Sequence, residues 1–214
     1  MKLIQKSGRF CSFLMFLACF SNLKAHAEDV VKGKESHKPP AYIDVKTGYF
    51  FFADLPMRNL YKEGGIDVQI SGAYPLIPYL NIYGSVEYLE KSGRSRNGNE
   101  RTSIWEVPLS IGLQPNFLIS SKLDLRYYFT LGPRYIFAYV HNCSHYVPRH
   151  MHSKGLGLFV NTGFIFNVYH GLTIDIFGEY SYKRLRFSSH KPFTQGHTVN
   201  VGGALLGLGI GYSF

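Results

Sequence analysis

The chain closes on Leu206-Gly207-Leu208-Gly209-Ile210-Gly211-Tyr212-Ser213-Phe214, where every second residue is a large apolar one and the rest are glycine or serine. A period of two marks a β-strand, because successive side chains point to opposite faces of the pleat. This strand has one fully apolar face and one almost bare face. Val199 and Val201 are out of phase with the apolar row, which predicts a bulge at Gly202-Gly203.

The same alternation recurs toward the N-terminus. In 41–52, Ile43, Val45, Tyr49 and Phe51 oppose Asp44, Lys46 and Gly48; in 66–74, Ile66, Val68, Ile70 and Tyr74 oppose Asp67, Gln69, Ser71 and Ala73. Residues 80–89 set Leu80, Ile82, Val86 and Tyr88 against Asn81, Tyr83, Ser85 and Glu87. In 101–113 an apolar row from Trp105 to Leu113 opposes Glu106 and Ser110, and in 122–138 one from Leu123 to Phe137 opposes Asp124, Arg126, Thr130 and Arg134. Residues 156–168 and 172–187 repeat the pattern, the second with Asp175, Glu179 and Lys183 on its polar face. With 199–214 that makes eight strands. Pro108 and Pro133 fall inside them, each removing a ladder donor, so local bulges are expected there.

The connections sort the strands into one architecture. Ala53–Gly65, Glu90–Glu100, Tyr139–Gly155 and Ser188–Thr198 are long, and they alternate with the shorter Pro75–Tyr79, Gln114–Ser121 and Tyr169–Gly171. A sandwich has no reason to sort its loops this way. A barrel with one end in each of two compartments does. The expected fold is all-β: an eight-stranded antiparallel up-and-down transmembrane barrel over 41–214, with both termini at the short-turn, periplasmic end. Its apolar rows face lipid and its charged rows fill a closed lumen, which at eight strands has room only for side chains. By parity that lumen holds Asp44, Lys46, Asp67, Glu87, Glu106, Asp124, Arg126, Arg134, Asp175, Glu179 and Lys183 as an ion-pair network.

The N-terminus reads as an export signal. Met1–Arg9 is basic, Phe10–Phe20 is an apolar run, and Ala25-His26-Ala27 is a small-residue cleavage site, which makes 1–27 a cleaved signal peptide. Lipoprotein processing at Cys19 is the rival reading. No apolar stretch reaches the roughly 18–20 residues of a membrane helix. Residues 28–40 (EDVVKGKESHKPP) show no period and read as a flexible periplasmic tail. The chain's formal net charge is +9, of which Lys2, Lys6, Arg9 and Lys24 supply four. No run of clustered cations follows, so nucleic acid is not an expected partner. Loss of the signal removes Cys11 and Cys19 and leaves Cys143 without an internal disulfide partner.

The terminal row, with Tyr212 two residues before a final Phe214, resembles the C-terminal signature of bacterial outer-membrane barrels. With the signal peptide and eight strands, the chain resembles the small OmpA/OmpX-type barrels of the Gram-negative cell envelope. That resemblance implies outer-membrane lipid and lipopolysaccharide as surroundings and recognition of Tyr212 and Phe214 by the barrel-assembly machinery. It also implies surface-exposed loops that contact host or other surface ligands.

Two chemistries remain to be weighed. In Tyr139–Gly155, His141, Cys143 and His145 alternate, and His150 and His152 follow; on an extended chain such a set could hold zinc or copper, though no carboxylate lies nearby. Otherwise no cofactor is expected. Ser144-His145, His152-Ser153 and Ser189-His190 are adjacent pairs, but adjacency alone builds no catalytic triad. The reading is a non-enzymatic barrel serving envelope structure or surface adhesion through its loops. A lipid A- or phospholipid-modifying enzyme and a narrow pore are the alternatives.

Overall fold

A computed structural model describes residues 40–61, 64–94, 100–143, 149–187 and 197–214. The segments expected to be a signal peptide, 1–27, and a tail, 28–40, lie outside these residues except for Pro40. The elements are β1 (Tyr42–Phe52), α1 (Leu55–Tyr61), β2 (Gly64–Ile77), β3 (Leu80–Arg94), β4 (Arg101–Ser120), β5 (Leu125–Asn142), β6 (His150–Tyr169), β7 (Leu172–Tyr182), β8 (Arg184–Phe187), β9 (His197–Asn200) and β10 (Gly203–Ser213). Eight of the strands form one closed ring in the order β1-β10-β7-β6-β5-β4-β3-β2, every neighbour antiparallel, while β8 and β9 make a separate hairpin.

The register fixes the shape of the ring. Pairing leads from Tyr74 through Ile82, Leu113, Leu131, Val160, Tyr180, Ala204 and Phe51, and returns to β2 at Gly64, ten residues from its start. A stagger of ten residues at ~3.3 Å each, over eight strands ~4.8 Å apart, tilts the strands by about 40° to the axis. Closure leaves no unpaired edge, the condition for placing strands in hydrocarbon. Ile43, Val45, Ile66, Ile70, Ile111, Leu131, Leu158, Ile176, Leu208 and Ile210 all stand exposed on the outer wall. A continuous apolar wall is lipid-facing, since water would not tolerate a patch of that extent. No helix among the described residues is long and apolar enough to cross a membrane.

Several sequence expectations are corrected. Strands run further than their apolar alternation: β3 to Arg94, β4 to Ser120, β5 to Asn142, and β6 from His150. The expected loops Gln114–Ser121 and Tyr139–Gly155 are therefore mostly strand. Neither Pro108 nor Pro133 makes a bulge: Pro133 pairs in register with Leu158, and at Pro108 the β3–β4 ladder skips two pairs and resumes unshifted. The register shifts sit between Pro75 and Ile77, Leu118 and Ser120, and Asn167 and Tyr169, all at the short-turn end. At Gly202-Gly203 there is no bulge either. Val201 N donates to Lys183 O at 2.9 Å and Ala53 N to Gly202 O at 3.0 Å in the register of the flanking pairs, so Val201 falls on the inward row with Leu205 and needs no extra residue.

The short turns are tight. His170 and Gly171 form a two-residue hairpin connection with φ of 44° and 89°, both left-handed, the hand that matches strand twist. At the other end Ala53–Tyr61 holds the helix α1, which the sequence reading took as loop. Asp54 precedes it, its carbonyl accepting from Arg58 N at 3.0 Å and its carboxylate from Asn200 N at 2.9 Å. Pro56 falls in the first turn, where a missing N–H costs nothing. Met57 and Tyr61 of the helix are buried in the same apolar cluster as Phe52, Leu89, Ile104, Val140, Leu185 and Val201, with the Tyr61 ring 5.8 Å from that of Phe52. An apolar cap closes the long-loop end.

Candidate functional site

Beneath that cap the lumen is filled in layers. Nearest the short turns, Tyr42 Oη donates to Gln114 Oε1 at 2.9 Å, and Gln114 Nε2 donates to Thr130 Oγ1 at 3.1 Å. Above them Lys46, fully buried, meets Asp175 at 2.5 Å and Asp44 at 3.4 Å, and donates to Tyr128 Oη at 3.2 Å. Tyr128 in turn donates to Asp175 at 2.9 Å, and Ser71 to Asp44. The rings of Tyr83, Tyr128 and Phe177 surround the ammonium. One level higher, Arg134 pairs with Glu87 and with Glu179 at 2.6 Å, donates to Ser110 Oγ at 2.8 Å, and lies over the Phe159 ring.

The inner row of β10 is what makes room for the lower cluster. A Cβ on Gly209 would come within 2.9 Å of Lys46 Cγ, and one on Gly211 within 2.7 Å of Asp44 Cβ. Glycine is the only residue that leaves the pair its place. The bare face of the final strand is thus a slot for the stem of Lys46.

Of the eleven residues assigned to the lumen by parity, Lys46 pairs with Asp44 and Asp175, and Arg134 with Glu87 and Glu179. Asp67 and Glu106 are buried near them without a salt bridge among the described residues, whereas Asp124 and Arg126 pair with each other at 3.1 Å at the open short-turn mouth. Asp124 sits in the turn itself, with φ of 39°, which lifts it out of the lumen. Lys183 stands at the other exit, its Nζ donating to Leu156 O at 2.5 Å rather than to a carboxylate. The sequence reading missed the aromatic filling: Tyr83, Tyr128, Phe159 and Phe177 share the inner face with the charges. The inward parity of Tyr83 was the available signal. Outside the lumen, burial under the cap pushes the Tyr61 phenol up to about 12, so it stays a neutral hydrogen-bonding group at neutral pH.

The outer face of the long-loop end carries a second constellation. β4, β5 and β6 rise above the apolar wall and align Trp105 on Tyr139, stacked at 5.1 Å, with His152 at 6.2 Å from Tyr139. One pair higher, His141 and His150 are direct cross-strand partners, their Nδ1 atoms 3.2 Å apart. Cys143 is exposed just beyond β5, and His145 lies outside the described residues. Among the described residues no three metal-binding side chains gather at one point. Of the Ser–His pairs, His152 and Ser153 are strand neighbours facing opposite ways, and Ser153 Oγ donates to Arg186 O at 3.0 Å. Ser144-His145 and Ser189-His190 lie outside the described residues.

No protein-family model matches the chain, and no curated protein matches it in sequence. Solved structures do. The chain is similar to the outer membrane protein OprG from Pseudomonas aeruginosa at 14% identity, over 83% of this chain and 97% of that one, with a TM-score of 0.68. It is similar to Neisserial surface protein A (NspA) at 16% identity, over 83% and 99% of the two chains, with a TM-score of 0.54. A third likeness is to Ail, the attachment invasion locus protein of Yersinia pestis, in complex with the heparin analogue sucrose octasulfate. There the identity is 14%, the coverage 82% and 100%, and the TM-score 0.51. At such identities the likeness is one of fold, and it agrees with the closed ring and the apolar wall: this chain has the fold of the small eight-stranded outer-membrane β-barrels.

Proposed function

We propose that the protein is a non-enzymatic outer-membrane surface protein that works through its long-loop end, with its lumen serving only to hold the barrel in shape. The observation that carries this reading is the filled lumen. Two buried cations, each gripped by two carboxylates and flanked by aromatic rings, lie in series beneath an apolar cap. No water-filled path suits that arrangement, and buried pairs of this kind do not exchange ions cheaply. The long-loop end faces outward in this reading, with both chain ends in the periplasm.

The chemistry of that end favours polyanionic partners. Arg94, Arg101, Lys154, Arg184 and Arg186 are exposed there, on strands that carry few acids at the same height. Lipopolysaccharide phosphates are the polyanions we propose such residues meet, and Ail, a barrel of like fold, has been solved with a sulfated sugar. The test is reconstitution of the refolded barrel in planar bilayers and in vesicles containing lipopolysaccharide. Absence of steady conductance, unchanged lipid A by mass spectrometry, and salt-sensitive binding to the glycolipid are expected. A stable open channel would overturn the filled-lumen reading, and modified lipid A would replace it with an enzyme.

A further inference from the structure

We propose that His141 and His150 form a two-histidine chelate for a borderline divalent cation, zinc in the first place, on the outer face of the β5–β6 hairpin. The geometry is that of a ligand pair. Zinc holds imidazole nitrogen at about 2.0–2.1 Å, so two nitrogens 3.2 Å apart subtend an angle of about 103° at one shared ion. That is close to tetrahedral. Two rings radiating from such an ion place their centroids about 5 Å apart, and here the distance is 4.7 Å with the planes at 52°. Both nitrogens are Nδ1 atoms aimed at each other, so a bound cation replaces the proton they share.

The backbone makes this a built bite rather than a chance approach. His141 and His150 are paired in register, and the next backbone link closes the hairpin above them, Asn142 N donating to Arg149 O at 2.8 Å. The flanking charges on this face are basic, Arg101 and Lys154 among them. Attraction of a bare divalent charge therefore contributes nothing, and binding rests on nitrogen coordination. Cations that prefer oxygen, such as calcium and magnesium, are rejected by the same site. Water completes the coordination shell.

The full barrel, refolded in detergent micelles and checked for heat-modifiable mobility, is titrated with zinc chloride by calorimetry at neutral pH in a reducing buffer. One equivalent should bind in the micromolar range, with no heat from calcium. His141→Ala and His150→Ala should each weaken zinc at least about tenfold, while His170→Ala, at the opposite end, and Cys143→Ser should leave it unchanged. No binding by the unaltered protein, retained affinity in both alanine variants, or loss in Cys143→Ser overturns the assignment. Should an alanine variant fail to refold, ¹⁵N imidazole spectra of the unaltered protein decide the matter. Zinc must then shift the nitrogens of two histidines, identified by His141→Gln and His150→Gln, and any other pair defeats the proposal.

Discussion

Replacing Arg134 with methionine tests whether the lumen is held by its ion pairs. Arg134, Glu87 and Glu179 are each about 98% buried, so the two carboxylates have no solvent to fall back on. Methionine keeps much of the stem and its contact with the Phe159 ring, which confines the loss to polar terms. Breaking a buried pair by removing one partner costs about 3–5 kcal/mol. Stranding the Ser110 hydroxyl, which now accepts at 2.8 Å, adds about 1 kcal/mol. A loss of about 4–6 kcal/mol is a large part of the ~5–15 kcal/mol that keeps a domain folded. With a urea slope of ~2–3 kcal/mol/M, the midpoint should fall by about 2 M. Trp105, the sole tryptophan, sits on the outer wall and reports unfolding by fluorescence in lipid vesicles. Adding Glu87→Gln and Glu179→Gln to Arg134→Met should recover most of the loss, because neither of the two carboxylates that Arg134 pairs with is then left charged and unpaired. A midpoint within about 0.3 M of the unaltered protein for Arg134→Met alone would refute the reasoning.

Three further outcomes follow. Gly209→Val should drive Lys46 off Asp175 and destabilise the barrel by about 1–3 kcal/mol through overpacking, read as a lowered urea midpoint; a neutral result would mean the glycine row is not a slot. Deleting Phe214, whose N–H donates to Ala41 O at 2.9 Å and whose ring is 72% exposed, should lower outer-membrane levels and leave unfolded chain behind. Normal amounts of heat-modifiable protein would count against a terminal assembly signal. Protease added to intact cells should cut, if anywhere, at the long-loop end and spare the turn at 121–124; a cut in that turn would reverse the proposed orientation.

The outer wall was legible in the sequence because lipid selects every second residue for the same property, so Ile43 to Phe51 and Leu206 to Phe214 declare their faces at once. That contrast fades where both faces are apolar. Tyr49-Phe50-Phe51-Phe52 alternates between lipid and cap with no change of residue type, and the cap itself went unread. It also fades above the membrane, where His150 and His152 on the outer face meet water. There the strands continue by backbone pairing alone, so a polar stretch was taken for a loop. The helix α1 has seven residues, too few for a period to show. The histidine pair was legible as residue types but not as a pair, since cross-strand register brings together positions nine apart that the sequence spaces as if unrelated.

The Lys46–Asp175 link has a mechanical meaning. It joins β1 to β7, yet in the ring these strands are separated by β10, whose inner glycines pass beneath the link without contributing to it. The ion pair therefore works as a strap across a seam. The spacing of β1 and β7 is thus set across the lumen as well as along the ladders, while β10 itself adds Leu205 to the filling.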